Sequence, residues 1–128
     1  MTKKALRKIK KASSNKLEKH VAQYIIDQEN PEGFLKDLFY GGCASGMVGS
    51  LIYYNDTLKF YKKFQKEIND LLYEIMQETG YNSPADLFGD KWEIGDPLAL
   101  NTQNQNLLAW FGFEETARKI AYQACYED

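Results

Sequence analysis

The sequence predicts an all-α fold: a single compact domain of about five to six helices over residues 13–128, preceded by a basic N-terminal arm at residues 1–12. Three observations carry that reading. Apolar residues recur every three or four positions along most of the chain, the period of a helix with one buried side. Caps, prolines and glycines fall where those stripes begin and end. No stretch of four to eight residues alternates with period two and β-branched enrichment. With 128 residues, 44% hydrophobic and 14% aromatic, the chain has the size of one domain and enough apolar mass for a core without staples.

The elements follow in order. Ser13, Ser14 and Asn15 are N-cap residues, and Leu17, Val21, Tyr24 and Ile25 follow at helical spacing. Leu6 and Ile9 extend that stripe backwards, so the arm reads as a frayed extension of the same helix. Asn30-Pro31-Glu32 closes this helix and opens another, because proline suits a first turn and not an interior. Phe34, Leu35, Leu38 and Phe39 form its face, stopped by Gly41-Gly42, and a short apolar helix from about Cys43 to Tyr54 comes next. The longest element runs from Asn55 or Asp56 to a stop at Gly80, with Leu58, Tyr61, Phe64, Ile68, Leu71 and Ile75 as its stripe, broadened by Leu72 and Met76. Ser83-Pro84-Ala85-Asp86 opens a one- to two-turn helix ending at Gly89. Residues 89–101 read as a loop. Thr102-Gln103-Asn104-Gln105 is a capping box for a last helix that buries Leu107, Trp110, Phe111, Phe113, Ala117, Ile120, Ala121 and Ala124.

The net charge of −2 hides a partition. Residues 1–19 hold eight basic residues against Glu18, for +7; residues 20–128 hold eight against 17 acids, for −9. Such an asymmetry points to a polyanionic or charge-patterned partner, or to an end that folds back on its own body. Within the arm the partner-binding candidates are Lys3, Lys4, Arg7, Lys8, Lys10 and Lys11. A second basic cluster, Lys59, Lys62, Lys63 and Lys66, precedes Glu67, Asp70, Glu74 and Glu78 on the long helix. The arm has no aromatic residue for base stacking.

The commoner chemistries lack their parts, so no catalytic, cofactor-binding or metal residue is assigned. His20 is the only histidine, and Cys43 and Cys125 have no C-x-x-C partner, which disfavours a zinc site or a Cys–His enzyme. Glu67-x-x-Asp70 resembles half of the carboxylate set with which all-α nucleoside triphosphate pyrophosphohydrolases hold magnesium, but the earlier Glu29/Glu32 pair has Pro31 inside it. A solvated face is the better reading. Gly42, Gly46, Gly49 and Ser50 fall on one side of a helix, a strip for close packing or, at Gly46 and Gly49, for a partner. Trp92 either pins its loop to the core or anchors an interface. The amides of 101–106 suit a cap or the polar edge of a partner. No apolar run would span a membrane, the basic start lacks the apolar stretch of a signal peptide, and two distant cysteines fit a reducing cytosol.

The stretch from Gly42-Cys43-Ala44-Ser45-Gly46-Met47-Val48-Gly49-Ser50-Leu51-Ile52-Tyr53-Tyr54 through Leu87-Phe88-Gly89-Asp90-Lys91-Trp92 to Ala109-Trp110-Phe111-Gly112-Phe113-Glu114-Glu115-Thr116-Ala117-Arg118 resembles a family of small phage-encoded proteins of unknown function, over roughly residues 34–122. That resemblance implies a phage protein in the cytoplasm of a bacterial host, with no catalytic residues to carry over. The leading expectation is a non-enzymatic accessory protein that binds a bacterial host protein, as a counter-defence inhibitor. The alternatives are a nucleic-acid-binding protein using the arm and Lys59 to Lys66, and a magnesium-dependent nucleotide hydrolase using Glu67, Asp70, Glu74 and Glu78. A homo-oligomer is left open; a membrane partner is not expected.

Overall fold

A computed structural model describes the backbone of residues 2–39, 54–93 and 102–127, and the side chains of 3–36, 57–93 and 103–124. Among these the chain is helical, with seven α-helices, one 3-10 turn and no strand. The helices are α1 (Thr2–Ala12), α2 (Lys16–Ile26), α3 (Pro31–Phe39), α4 (Tyr54–Lys63), α5 (Gln65–Thr79), α6 (Pro84–Phe88) and α7 (Thr102–Glu127). The expected helix at 43–54, with Cys43, Gly46 and Gly49, lies outside the described residues, apart from Tyr54 at the start of α4.

Two compact units divide the chain: Met1–Ser50 with Phe113–Asp128, and Leu51–Gly112. In the first, α1 is a helix of its own and not an extension of α2. The chain leaves helical geometry at Asn15 (φ −87°, ψ 121°), whose side chain caps α2 by accepting the Glu18 N–H at 3.0 Å. Three residues therefore join α1 to α2, and the two helices pack on each other as a hairpin. The basic end thus folds back on α2. Leu6 (0% exposed) and Ile9 (7%) join Leu17, Val21, Ala22 and Ile25 in the core. Asn30 caps α3 through the Gly33 N–H at 3.0 Å. Tyr24 then ties α2 to α3 and α7, edge-on to Phe34 at 6.2 Å and to Phe113 at 5.4 Å between centroids.

In the second unit the expected long helix is two. Phe64 departs to φ −117°, ψ 25°, although its N–H still donates to Phe60 O (3.1 Å) and its carbonyl accepts from the Ile68 N–H (2.9 Å). The buried line runs Thr57, Tyr61, Phe64, Ile68, Leu72 and Met76, while Leu58, Leu71 and Ile75 are half-buried. Up to Phe64 it keeps to one side of the helix; beyond it, steps of four overshoot the 3.6-residue turn and the line drifts around α5. Tyr61 Oη spans the break to Asn69 Oδ1 at 3.1 Å. Gly80, at φ 78°, ends α5 in the left-handed geometry that glycine tolerates. The Asp86 carboxylate accepts the Asn82 and Ser83 N–H groups at 3.0 and 3.2 Å, which starts α6 as expected.

Of the expected loop at 89–101, residues 94–101 lie outside the described residues, and 89–93 are structured. Gly89–Lys91 is a 3-10 turn, and Trp92, 9% exposed, stacks on Phe88 at 5.4 Å and 13° while Phe88 meets Phe111 edge-on. Helix α7 begins at Thr102, as the expected capping box placed it, and the Thr102 side chain lies outside the described residues. The buried Asn104 binds a polar edge within the chain itself. Its Oδ1 accepts the Glu93 N–H (2.9 Å) and its Nδ2 donates to Glu93 O (3.0 Å), as a strand partner would. Gln103 adds a bond to Lys91 O at 3.2 Å. On α7 the buried residues are Leu108 and Ala109 rather than Leu107 and Trp110, then Phe111, Phe113, Ala117, Ile120, Ala121 and Ala124.

Candidate functional site

The strongest chemical feature of the described residues is the outer side of α1. An eleven-residue helix is about 16 Å long. Turning Leu6 and Ile9 inward sends Lys3, Lys4, Arg7, Lys8, Lys10 and Lys11 to the other side, because all six lie within roughly half a turn of one another at 100° per residue. Among the described residues the ion pairs are Lys36–Glu32, Lys66–Asp70 and Glu114–Arg118, and none reaches α1. Six cations on one short helix without a paired carboxylate repel one another, and an anion placed over them relieves that repulsion.

Two grooves flank this helix. The larger, about 860 Å³, lies between α1 and α2 and is lined by Lys3, Arg7, Lys10, Lys11, Lys19 and Gln23, with Ile26, Asp27 and Gln28 at one end. Here Lys10 Nζ donates to Gln23 Oε1 (2.6 Å) and Gln23 Nε2 donates to Asp27 Oδ1 (2.8 Å). The smaller, about 660 Å³, is lined by Lys8, Ile9, Ala12, the 13–15 turn, Glu18, Tyr122 and Gln123. Tyr122, from α7, is 56% exposed. The two grooves thus add Lys19, Gln23 and, from α7, Tyr122 to the expected set. Lys19 was visible in the charge count, but only the reversal at Asn15 puts it opposite Arg7. No signal in the sequence places Tyr122 beside Lys8.

The second basic cluster belongs to the other unit. Lys59, Lys62, Lys63 and Lys66 are all exposed, but Lys63 Nζ sits 5.4 Å from the Phe64 ring centroid and Lys66 pairs with Asp70 at 2.9 Å. That bond and charge raise the Lys66 pKa. Of the four acids, Asp70 is tied to Lys66, and Glu74 and Glu78 are exposed. No three His, Cys, Asp or Glu side chains converge among the described residues. Trp92, being buried, takes the pinning role of the two open to it. On α7, Glu115 is half-buried; burial raises its pKa first, the Glu114 charge adds to this, and Arg118 opposes it.

A family model described as a domain of unknown function (DUF7222) matches residues 14–126. The chain belongs to that family. The DUF7222 match contains α2 to α7 and begins two residues after α1, so the basic helix precedes it. No curated protein and no solved structure matches the chain. No described helix is long and apolar enough to cross a membrane.

Proposed function

We propose that this DUF7222 protein is a non-enzymatic binding protein and that the outer side of α1 takes the phosphate backbone of a nucleic acid. The observation that carries this reading is the six-cation face without an ion pair among the described residues. Phosphates meeting those cations release condensed counterions, so affinity falls steeply with salt. Fluorescence anisotropy with a labelled oligonucleotide, repeated across a salt series, tests it. Lys4→Gln with Lys8→Gln is expected to flatten the slope of log K against log salt by about 1.4 on a single strand, at roughly 0.7 per lost phosphate contact. Binding that is absent, or indifferent to salt, overturns the reading. Removing residues 1–12 is unsuitable as the control, since it removes Leu6 and Ile9 with the charge.

A second reading rests on α5 and the turn after it, where Tyr73 and Tyr81 are 54% and 42% exposed beside the exposed Asp70, Glu74 and Glu78. Carboxylates and rings spaced along one helix imitate phosphates and bases, and so suit the basic nucleic-acid channel of a protein. The resemblance to small phage-encoded proteins supports a bacterial host protein as that partner, bound in the cytoplasm as a counter-defence step. Tagged chain is then expected to recover one stoichiometric partner from bacterial lysate, and Tyr73→Ala with Glu74→Gln to lose it. Equal recovery by the variant removes this face from consideration.

A further inference from the structure

The two grooves beside α1 differ in net charge once their carboxylates are counted. The α2 side is lined by Lys3, Arg7, Lys10, Lys11 and Lys19 with Asp27, five cations to one acid, for +4. The lining of the α7 side holds Lys8 and Glu18, for zero. A polyanion that meets the crest of α1 is therefore drawn to the α2 flank and not to the other.

Asp27 is the C-cap of α2, where a negative charge opposes the helix macrodipole, so α2 alone gives no reason for it. Its partner gives one. Asp27 Oδ1 accepts Gln23 Nε2 at 2.8 Å, and Gln23 Oε1 accepts Lys10 Nζ at 2.6 Å. Only one orientation of the amide serves both neighbours, since an ammonium only donates and a carboxylate only accepts. The three side chains form a directed chain that holds Lys10 against α2. Gln23 takes one of the three ammonium donors and leaves two for the groove. Lys10 has thus already given up the rotamer freedom that a ligand would otherwise take from it. Resting on the nucleic-acid reading above, we propose that the phosphate backbone lies in the α1–α2 groove and is anchored at Lys10, with Gln23 and Asp27 as positioning residues. Arg7 of α1 and Lys19 of α2 close on the same backbone from the two walls. The Asp27 charge also repels phosphates from its own end of the groove.

The experiment uses the full chain and a fluorescein-labelled oligo(dT) of about twelve nucleotides, with thermal unfolding of each variant to check that the fold is kept. Arg7→Gln with Lys19→Gln is expected to flatten the salt slope by about 1.4, and Lys10→Gln by about 0.7. Gln23→Met changes no charge; it is expected to weaken binding about 2- to 12-fold, the cost of fixing one long side chain, with the slope unchanged. In a Lys10→Gln background the same Gln23→Met is expected to be silent, which a merely structural role would not produce. Asp27→Asn keeps an acceptor for Gln23 and removes the repulsion, so binding is expected to tighten, by up to about 5-fold. Glu18→Gln removes one charge from the other groove and is expected to do less. Equal tightening by Glu18→Gln and Asp27→Asn overturns the choice of groove. A silent Gln23→Met, or one that weakens binding equally in the Lys10→Gln background, overturns the anchor. A slope that falls with Lys4→Gln and Lys8→Gln but not with Arg7→Gln and Lys19→Gln overturns this inference and leaves the backbone-binding reading standing. No binding of the oligonucleotide overturns both.

Discussion

Removing residues 2–12 is expected to unfold the unit that α1 completes, not to leave a folded protein lacking its charge. Leu6 is 0% and Ile9 7% exposed, and they cover Leu17, Val21 and Ile25 of α2, which are themselves fully buried. The helix needs that cover as much as it provides it. Eleven residues are too few for an isolated helix to hold in water. Lys3 and Lys4 in the first turn also oppose the macrodipole, with no acid there to offset them, although Lys10 and Lys11 at the other end favour it. Packing is therefore what makes α1 a helix. Leu6→Ala, which keeps every charge, is expected to cost about 2–5 kcal/mol, whereas Lys4→Gln stays within about 0.5 kcal/mol. Denaturant unfolding followed by circular dichroism separates them. Equal midpoints for the two would mean that α1 is not part of the core.

Gly112→Ala is the second substitution with a large expected effect, and its sign runs against helix propensity. In an open helix, alanine is better than glycine by about 1 kcal/mol. At Gly112 a Cβ would stand 2.6 Å from Cγ1 of Ile68, 3.1 Å from Cδ1 and 3.3 Å from Cγ2. Ile68 is 0% exposed, so it has nowhere to move without disturbing its own neighbours. Overpacking of this kind costs about 1–3 kcal/mol, enough to cancel the propensity gain and leave a net loss. The cause can be isolated. In an Ile68→Ala background the obstructing atoms are gone, and the same Gly112→Ala change is expected to become neutral or stabilising. A double-mutant cycle on unfolding free energy reads that reversal as a coupling of about 0.5–3 kcal/mol. A stabilising Gly112→Ala in the parent chain would mean that α5 and α7 do not meet closely at this point.

Sequence reasoning located what short-range chemistry controls. Asn15, Pro31, Gly80 and the Ser83–Asp86 cap each act within a few residues, and each starts or stops a helix where the pattern put it. It missed what depends on partners far along the chain. The break at Phe64 has no proline or glycine to announce it, and beyond it the core takes Leu72 and Met76 in place of Leu71 and Ile75. Asn104 reads as a polar cap residue until Glu93 is set against it. For the candidate site, the charge of α1 was legible from its composition. Its two grooves were not, because Lys19 and Gln23 are brought to one by the α1–α2 reversal and Tyr122 to the other by the packing of α7.

The paired bonds between Asn104 and Glu93 have one further consequence. They join two points eleven residues apart in the chain and close the intervening segment into a ring held at its neck. Trp92 lies just outside that ring on one side, and the body of α7 on the other. The entropy of closing such a ring rises only with the logarithm of its length, so doubling it costs about 0.6 kcal/mol. The Asn104 clasp therefore sets where that ring closes, and a substitution such as Asn104→Ala would release both Glu93 bonds, and with them the neck, in one step.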